Sequence, residues 1–170
     1  MALKVALMGA GGKMGQRLTD NLMKHPNKYE MAYVEVSELG VANLAKRGLT
    51  PTPQADALKD ADAVILALPD KLIGRITRDM IEDLKPGAMV VSLDPAAAYA
   101  EVIPLRADLT YYVSHPCHPP MFNDEVTEAA RTDWFGGVKA KHHIVSALHR
   151  GPEADWQKGD ELARDMYAPV

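Results

Sequence analysis

The chain opens on a short apolar run that empties into a glycine cluster, Val5-Ala6-Leu7-Met8-Gly9-Ala10-Gly11-Gly12-Lys13-Met14-Gly15. Lys4 to Met8 is too short and too apolar to be anything but a buried strand. From Met14 the apolar residues Met14, Leu18 and Leu22 recur at helical spacing, with Gln16, Arg17, Asp20 and Lys24 on other faces. A strand that turns through glycines directly into a helix leaves the first helical N–H groups unpaired, at an approach stripped of side chains. Phosphate groups bind at such places. Gly9 suits the tight turn, Gly11 and Gly12 the close approach to a pyrophosphate, and Gly15 the packing of helix on strand. The spacing is Gly-x-Gly-x-x-x-Gly or Gly-x-x-Gly-x-x-Gly rather than the common Gly-x-Gly-x-x-Gly. An ordinary strand-turn-helix also needs glycines, so the loop alone leaves both readings open.

A second feature tips the balance. The next strand, Tyr29 to Val36, carries Glu35 near its carboxyl end, 20 positions beyond Gly15. A dinucleotide-binding fold places the acid that holds the adenosine ribose at about that ~20-residue offset. Val36 and Ser37 follow, with no adjacent arginine to receive a 2′-phosphate, and Glu35 itself would repel one. NAD is therefore preferred over NADP as the expected cofactor. Lys13 adds positive charge beside the pyrophosphate, or is an ordinary exposed loop lysine.

The remaining pattern alternates strand and helix. The continuous apolar run at Ala63–Leu68 is that of a strand covered on both faces, and Met89–Leu93, Leu109–Val113 and His143–Leu148 supply further strands. Helical stretches fall near residues 39–45, 54–58, 72–84, 96–103 and 153–167. Parallel neighbours need crossover connections, so the expectation is an α/β fold of Rossmann type: a doubly wound, mainly parallel sheet with helices on both faces. Residues 1–152 are read as the NAD-binding domain. Residues 153–170 are read as a helix leading toward a helical C-terminal domain that the chain does not contain. That helix is expected to have nothing over its apolar stripe of Leu162, Ala163, Met166 and Tyr167.

Composition narrows the partners. At 170 residues the chain is large enough for one ordinary core without disulfides. A net charge of −4 with no basic stripe argues against nucleic acid. No run approaches the ~18 apolar residues of a membrane span. One cysteine, Cys117, permits no internal disulfide and no multi-cysteine zinc site. A cytoplasmic location is the default expectation.

Ligands in such sheets bind at the carboxyl ends of the strands. Those ends hold Gly9 to Gly12, Glu35, Asp70, Asp94 and the segment Ser114-His115-Pro116-Cys117-His118-Pro119-Pro120. Each histidine precedes a proline, which favours extended or polyproline II backbone. With about three residues per polyproline turn, His115 and His118 would share one edge, able to flank a polar substrate or contribute to a divalent metal site. A rigid connector is the competing reading. Cys117 reads as a packing residue, Asp94 as a turn or cap residue, and Asp70 as a helix N-cap that also lies within reach of a nicotinamide ribose.

On these residues the chain resembles the β-hydroxyacid and phosphogluconate dehydrogenase superfamily, and within it the D-apionate oxidoisomerase family. The glycine opening, the Val-Glu-Val-Ser strand end and the Leu-Pro-Asp turn carry the wider likeness. The block from Leu109 through His-Pro-Cys-His-Pro-Pro to Phe122-Asn123-Asp124-Glu125 carries the narrower one, with Phe135-Gly136-Gly137, Ile144–Leu148 and Gly151-Pro152-Glu153. The resemblance implies NAD-dependent oxidation and isomerisation of a sugar acid, D-apionate, to 3-oxo-isoapionate. Gly11 to Met14 would hold the pyrophosphate, Glu35 the adenosine ribose, and Asp70 would lie near the nicotinamide. His115, His118 and Asn123 would serve catalysis, with His115 on a divalent metal such as zinc. The family's helical C-terminal domain would make the complete form a homodimer. Two other functions stay open: an NAD-binding or redox-sensing module without turnover, and a hydroxyacid dehydrogenase without rearrangement.

Overall fold

The computed structural model describes residues 2–120, 122, 124–134 and 139–170. Its elements run β1 (Leu3–Met8), α1 (Lys13–Leu22), β2 (Tyr29–Val34), α2 (Glu38–Ala45), α3 (Gln54–Lys59), β3 (Ala63–Leu66), α4 (Asp70–Met80) and β4 (Met89–Ser92). There follow α5 (Ala96–Tyr99), β5 (Thr110–Pro116), α6 (Glu128–Arg131), β6 (Ile144–Arg150) and α7 (Asp155–Tyr167).

The strands form one sheet in the order β2-β1-β3-β4-β5-β6. The first five are mutually parallel, and β6 returns antiparallel to β5 with a register shift at Tyr111/Tyr112. This is the Rossmann-type α/β architecture expected from the alternating pattern. β3 and β4 are buried at every position, β3 as its unbroken apolar run requires and β4 with Ser92 among its buried residues.

Alternation along each strand feeds two cores. Ala6, Met8, Val64, Leu66 and Val90 pack with Leu58, Ile73 and Met80 from α3 and α4. Val5, Leu7, Ile65, Met89 and Val91 pack on the opposite face with Leu18 and Leu22 of α1 and Leu162 and Met166 of α7. The last helix is therefore covered, contrary to the sequence expectation. Its apolar stripe closes one face of the sheet, with Leu162, Ala163, Met166 and Tyr167 all buried. Asn21 Nδ2 donates to the Met166 and Ala168 carbonyls, and Tyr167 OH donates to the Ser114 carbonyl. Gly159 makes this seat possible, because a Cβ there would lie 2.4 Å from the Tyr112 ring.

Other boundaries shift modestly. α5 is a single turn rather than reaching Ile103, since Glu101 turns to φ +55° just beyond it. α6 is an additional single turn, outside the helices expected from the sequence. No helix among the described residues is long and apolar enough to cross a membrane.

Candidate functional site

β1 is flanked by β2 on one side and β3 on the other, so successive crossovers diverge there and leave a crevice at the strands' carboxyl ends. The glycine loop forms its floor. Gly9 turns the chain at φ +75°, with its N–H and that of Ala10 both donating to Val34 O. A Cβ on Gly9 would lie 2.4 Å from the Ala67 carbonyl oxygen, and one on Gly15 would lie 2.0 Å from the Gly9 carbonyl oxygen. The first glycine permits the turn and the last lets α1 pack on β1, as expected.

Gly11 and Gly12 divide the role expected of them jointly. A Cβ on Gly11 would meet the Gly40 carbonyl at 2.1 Å, and the Gly11 N–H donates to Glu35 Oε2 at 3.0 Å. Both the space and the donor at Gly11 are thus taken by the protein, which corrects its expected contact with the pyrophosphate. Gly12 keeps the open approach. It is the N-cap of α1, its own missing side chain has only Gly9 O nearby at 3.2 Å, and no side chain caps the helix start. Gly12, Lys13 and Met14 line the crevice together.

Glu35 stands one residue beyond β2 and is half-buried. Its Oε1 accepts the Val36 and Ser37 N–H groups and the Ser37 hydroxyl, each at 2.9 Å, while Oε2 accepts from Gly11. Burial opposes its ionisation, but these donors outweigh burial and hold the carboxyl below its ordinary value. Ser37 is shared: its hydroxyl also accepts the Gly40 N–H and so caps α2. Gly40 must lack a side chain because a Cβ would lie 2.3 Å from the Glu35 carboxyl carbon. Sequence reading found Glu35 but missed Ser37 and Gly40, although a serine three residues before a glycine at a helix start is a capping signal.

Two hollows flank Gly12. One, of 270 Å³, runs beside Glu35, Val36, Ser37 and Gln54 to Leu72 and Ile76. The other, of 300 Å³, runs past Lys13, Met14 and Asp70 to Leu93 and Asp94. They share Gly12, Ala67, Leu68 and Pro69, forming one groove across the ends of β1 to β4. Asp70 is the first residue of α4 rather than its N-cap, a place held by Pro69, and its carboxylate is exposed in the groove.

At the far end, His115 Nδ1 lies 2.9 Å from the Leu93 carbonyl oxygen and 3.6 Å from Asp94 Oδ2. A carbonyl only accepts, so Nδ1 carries the proton of the neutral ring and Nε2 keeps its lone pair. Asp94 was read as a cap residue, and its Oδ1 does accept the Ala96 N–H at 2.7 Å. Its other oxygen serves the histidine, a role with no local sequence signal.

The two histidines do not share an edge. β5 continues through Pro116, paired with β6 at Ile144, and the Cys117 N–H donates to His143 O. Where strand pairing sets a two-residue period in place of polyproline geometry, positions three apart face oppositely. His115 therefore meets Leu93 and Asp94, while His118 lines a separate cavity with Met14 and Arg17. Asn123 lies outside the described residues. A metal on His115 finds no supporting donor set: among the described residues no three His, Cys, Asp or Glu side chains gather. The Nδ1 bond to Leu93 leaves Nε2 open as a ligand, but one imidazole beside one carboxylate falls short of the three or four protein ligands of a zinc centre.

Comparison with known proteins agrees with this geometry. Residues 4–95 match the family described as NADP oxidoreductase coenzyme F420-dependent, and residues 123–170 match phosphogluconate dehydrogenase (decarboxylating) C-term. The chain is 50% identical to a D-apionate oxidoisomerase of Rhizobium rhizogenes over 98% of its length and 60% of the relative's. It is 49% identical to a D-apionate oxidoisomerase of Cupriavidus necator, over 100% of this chain and 61% of that one. A crystal structure of a semialdehyde dehydrogenase NAD-binding protein from Cupriavidus necator, in complex with calcium and NAD, superposes with a TM-score of 0.94 at 49% identity. It too covers 100% of this chain and 61% of that one. The chain thus spans about three-fifths of the length of the relatives it matches.

Proposed function

This chain belongs to the family described as NADP oxidoreductase coenzyme F420-dependent, and from that premise we propose that it is the nucleotide-binding part of an NAD-dependent oxidoreductase acting on a sugar acid. The substrate class and reaction we assign are D-apionate and its oxidation with isomerisation to 3-oxo-isoapionate, supported by the two oxidoisomerase relatives at 49–50% identity.

One observation carries the cofactor reading: the groove of β1 to β4 has an ionised carboxylate at one end and an uncapped helix start at its middle. Glu35 accepts ribose hydroxyls there, and the N–H groups after Gly12 face the diphosphate. Among the described residues no lysine or arginine lines the Glu35 half. A 2′-phosphate would meet a carboxylate without a compensating cation, so NAD is favoured over NADP despite the family's description. The solved relative named as binding NAD supports the same choice.

Bound in this groove, NAD supplies the hydride acceptor. In the neutral ring, whose Nδ1–H donates to the Leu93 carbonyl, His115 Nε2 carries the lone pair that takes the proton of the substrate hydroxyl. The carbinol thereby loses a hydride and a proton together and becomes a ketone. Asp94 holds the loop after β4 through Ala96 and stands beside the ring, which sets His115 against the two residues that close this end of the groove, Leu93 and Asp94.

The test is an absorbance assay for NADH with the chain extended to the length of its relatives, offered D-apionate and linear hydroxy acids. NADH formation with D-apionate and a rearranged carbon skeleton in the product are expected. Absence of NAD binding overturns the cofactor assignment. NADH formed with linear hydroxy acids alone makes the protein a dehydrogenase without rearrangement.

A further inference from the structure

We propose that the cavity between α1 and the segment ending at Pro169 seats the carboxylate of the substrate, so that a polyhydroxy monocarboxylate is held by its charge beside the dinucleotide groove. This assignment rests on the sugar-acid reading and gives it an anchoring site.

The cavity measures 660 Å³ and is lined by Lys13, Arg17 and Lys24, with His118, Asp20 and Asp133 among the other walls. Spacings of four and seven residues put the three cations on one side of α1 and its end. Two carboxylates oppose three fixed positive charges, and one of the two is already engaged from outside. Both Asp20 oxygens accept from Arg47, at 2.6 and 2.8 Å, and Arg47 does not line the cavity. Lys24 Nζ donates to a neutral group, Asn21 Oδ1, at 2.8 Å. Among the described residues the wall carries a surplus of positive charge.

Burial sharpens that surplus. Arg17 is half-buried, and desolvation pushes its guanidinium below its ordinary value while Asp133 pulls the other way. A charge partly withdrawn from water is poorly screened and attracts a small anion more strongly than an exposed one. The guanidinium fork also matches a carboxylate in shape.

Position favours substrate over a stray anion. Lys13 and Met14 line both this cavity and the 300 Å³ half of the groove, so the two spaces adjoin. His118 in the cavity wall lies three residues from His115, about 10 Å of extended chain. A short sugar acid with its carboxylate against Arg17 directs its hydroxyl-bearing carbons toward the groove.

The experiment is a nuclear magnetic resonance titration of the 170-residue chain saturated with NAD, using D-apionate and its neutral primary amide. The acid is expected to bind at least about tenfold more tightly than the amide. Arg17→Gln should weaken the acid by roughly tenfold or more, leaving the amide and NAD unchanged. Lys24→Gln should weaken it by about two- to fivefold; this residue is exposed, so the variant keeps the test sound should Arg17→Gln fail to fold. Equal binding of acid and amide, undetectable binding of both included, overturns the proposal. So does native-like binding of the acid by either folded variant, or a loss of NAD affinity in its place, which would assign the cations to the dinucleotide. If native chain fails to take up NAD at the outset, the proposed function itself falls, and the cause is separated from the carboxylate seat.

Discussion

The two ends of the groove are made of different material. At the β1–β2 end the recognising surface is mostly main chain, packed so closely that Gly9, Gly11, Gly15 and Gly40 leave no room for a Cβ. Glu35, the ionisable side chain there, is tied down by three backbone N–H groups and the Ser37 hydroxyl. At the β4–β5 end the work falls to side chains. His115 is about half exposed and is oriented by one carbonyl and one nearby carboxylate. The first end is fixed by steric exclusion and survives most surface changes. The second depends on single polar contacts and is where substitution alters chemistry without altering the fold.

Substitutions that separate these effects test the contrast. The largest expected change is in turnover. His115→Ala in the chain extended to its relatives' length should lower kcat by roughly 10²–10⁴-fold, the range for a lost general base. Its urea midpoint and NAD affinity should stay as in the native protein. A loss below tenfold would remove His115 from the chemistry. Next comes Gly9→Ala, which forces a Cβ into φ +75° and against the Ala67 backbone at once. Destabilisation of about 3 kcal/mol is expected by chemical denaturation. Gly12→Ala is its counterpart: a Cβ there meets one backbone atom, Gly9 O at 3.2 Å, at an ordinary negative φ, so stability should move by less than about 1 kcal/mol, while NAD affinity falls because the new methyl intrudes on the diphosphate approach. Equal destabilisation by the two alanines would dissolve the distinction between a packing glycine and an approach glycine.

The same division explains what could be read from sequence. β3, and β1 from Val5 to Met8, announce themselves as apolar runs because a strand buried on both faces seldom carries charged side chains. Glu35 is legible because crossover length fixes its offset from the glycine loop. What escaped reading depends on contacts between distant residues. His115 and His118 were placed on one edge from their prolines, and the pairing of β5 with β6, some thirty residues on, overrides that local preference. The cover on α7 is set by the sheet and by α1, the latter more than a hundred residues earlier in the chain. Gly11 was assigned to the phosphate because nothing local distinguishes a glycine facing a ligand from one facing another helix.

Glu35 supplies the third prediction. Glu35→Gln replaces an acceptor that faces the Gly11 N–H with a group that can present a second donor, and removes the charge that rejects a 2′-phosphate. NAD affinity should fall about tenfold, with the preference over NADP narrowed, as read by calorimetry. The acid limb of stability should change as well. A carboxyl whose folded value is depressed contributes stability that is fully present above its unfolded value, about pH 4.5, and is lost as pH falls through the folded value. Below that pH the native protein should lose stability more steeply than Glu35→Gln. Parallel profiles would mean that the four hydrogen bonds do not favour the ionised form.

Ser37→Ala is expected to have the smallest effect, and it isolates main chain from side chain within one site. The substitution removes the hydroxyl that caps α2 at the Gly40 N–H and one of the donors to Glu35 Oε1. The Val36, Ser37 and Gly11 N–H groups remain, so the carboxylate keeps its place. A stability loss of about 1 kcal/mol is expected for the missing cap, with NAD affinity lowered by no more than about threefold. If Ser37→Ala instead weakens NAD as much as Glu35→Gln does, the hydroxyl and not the backbone holds the acid. The β1–β2 end would then be a side-chain site like the other.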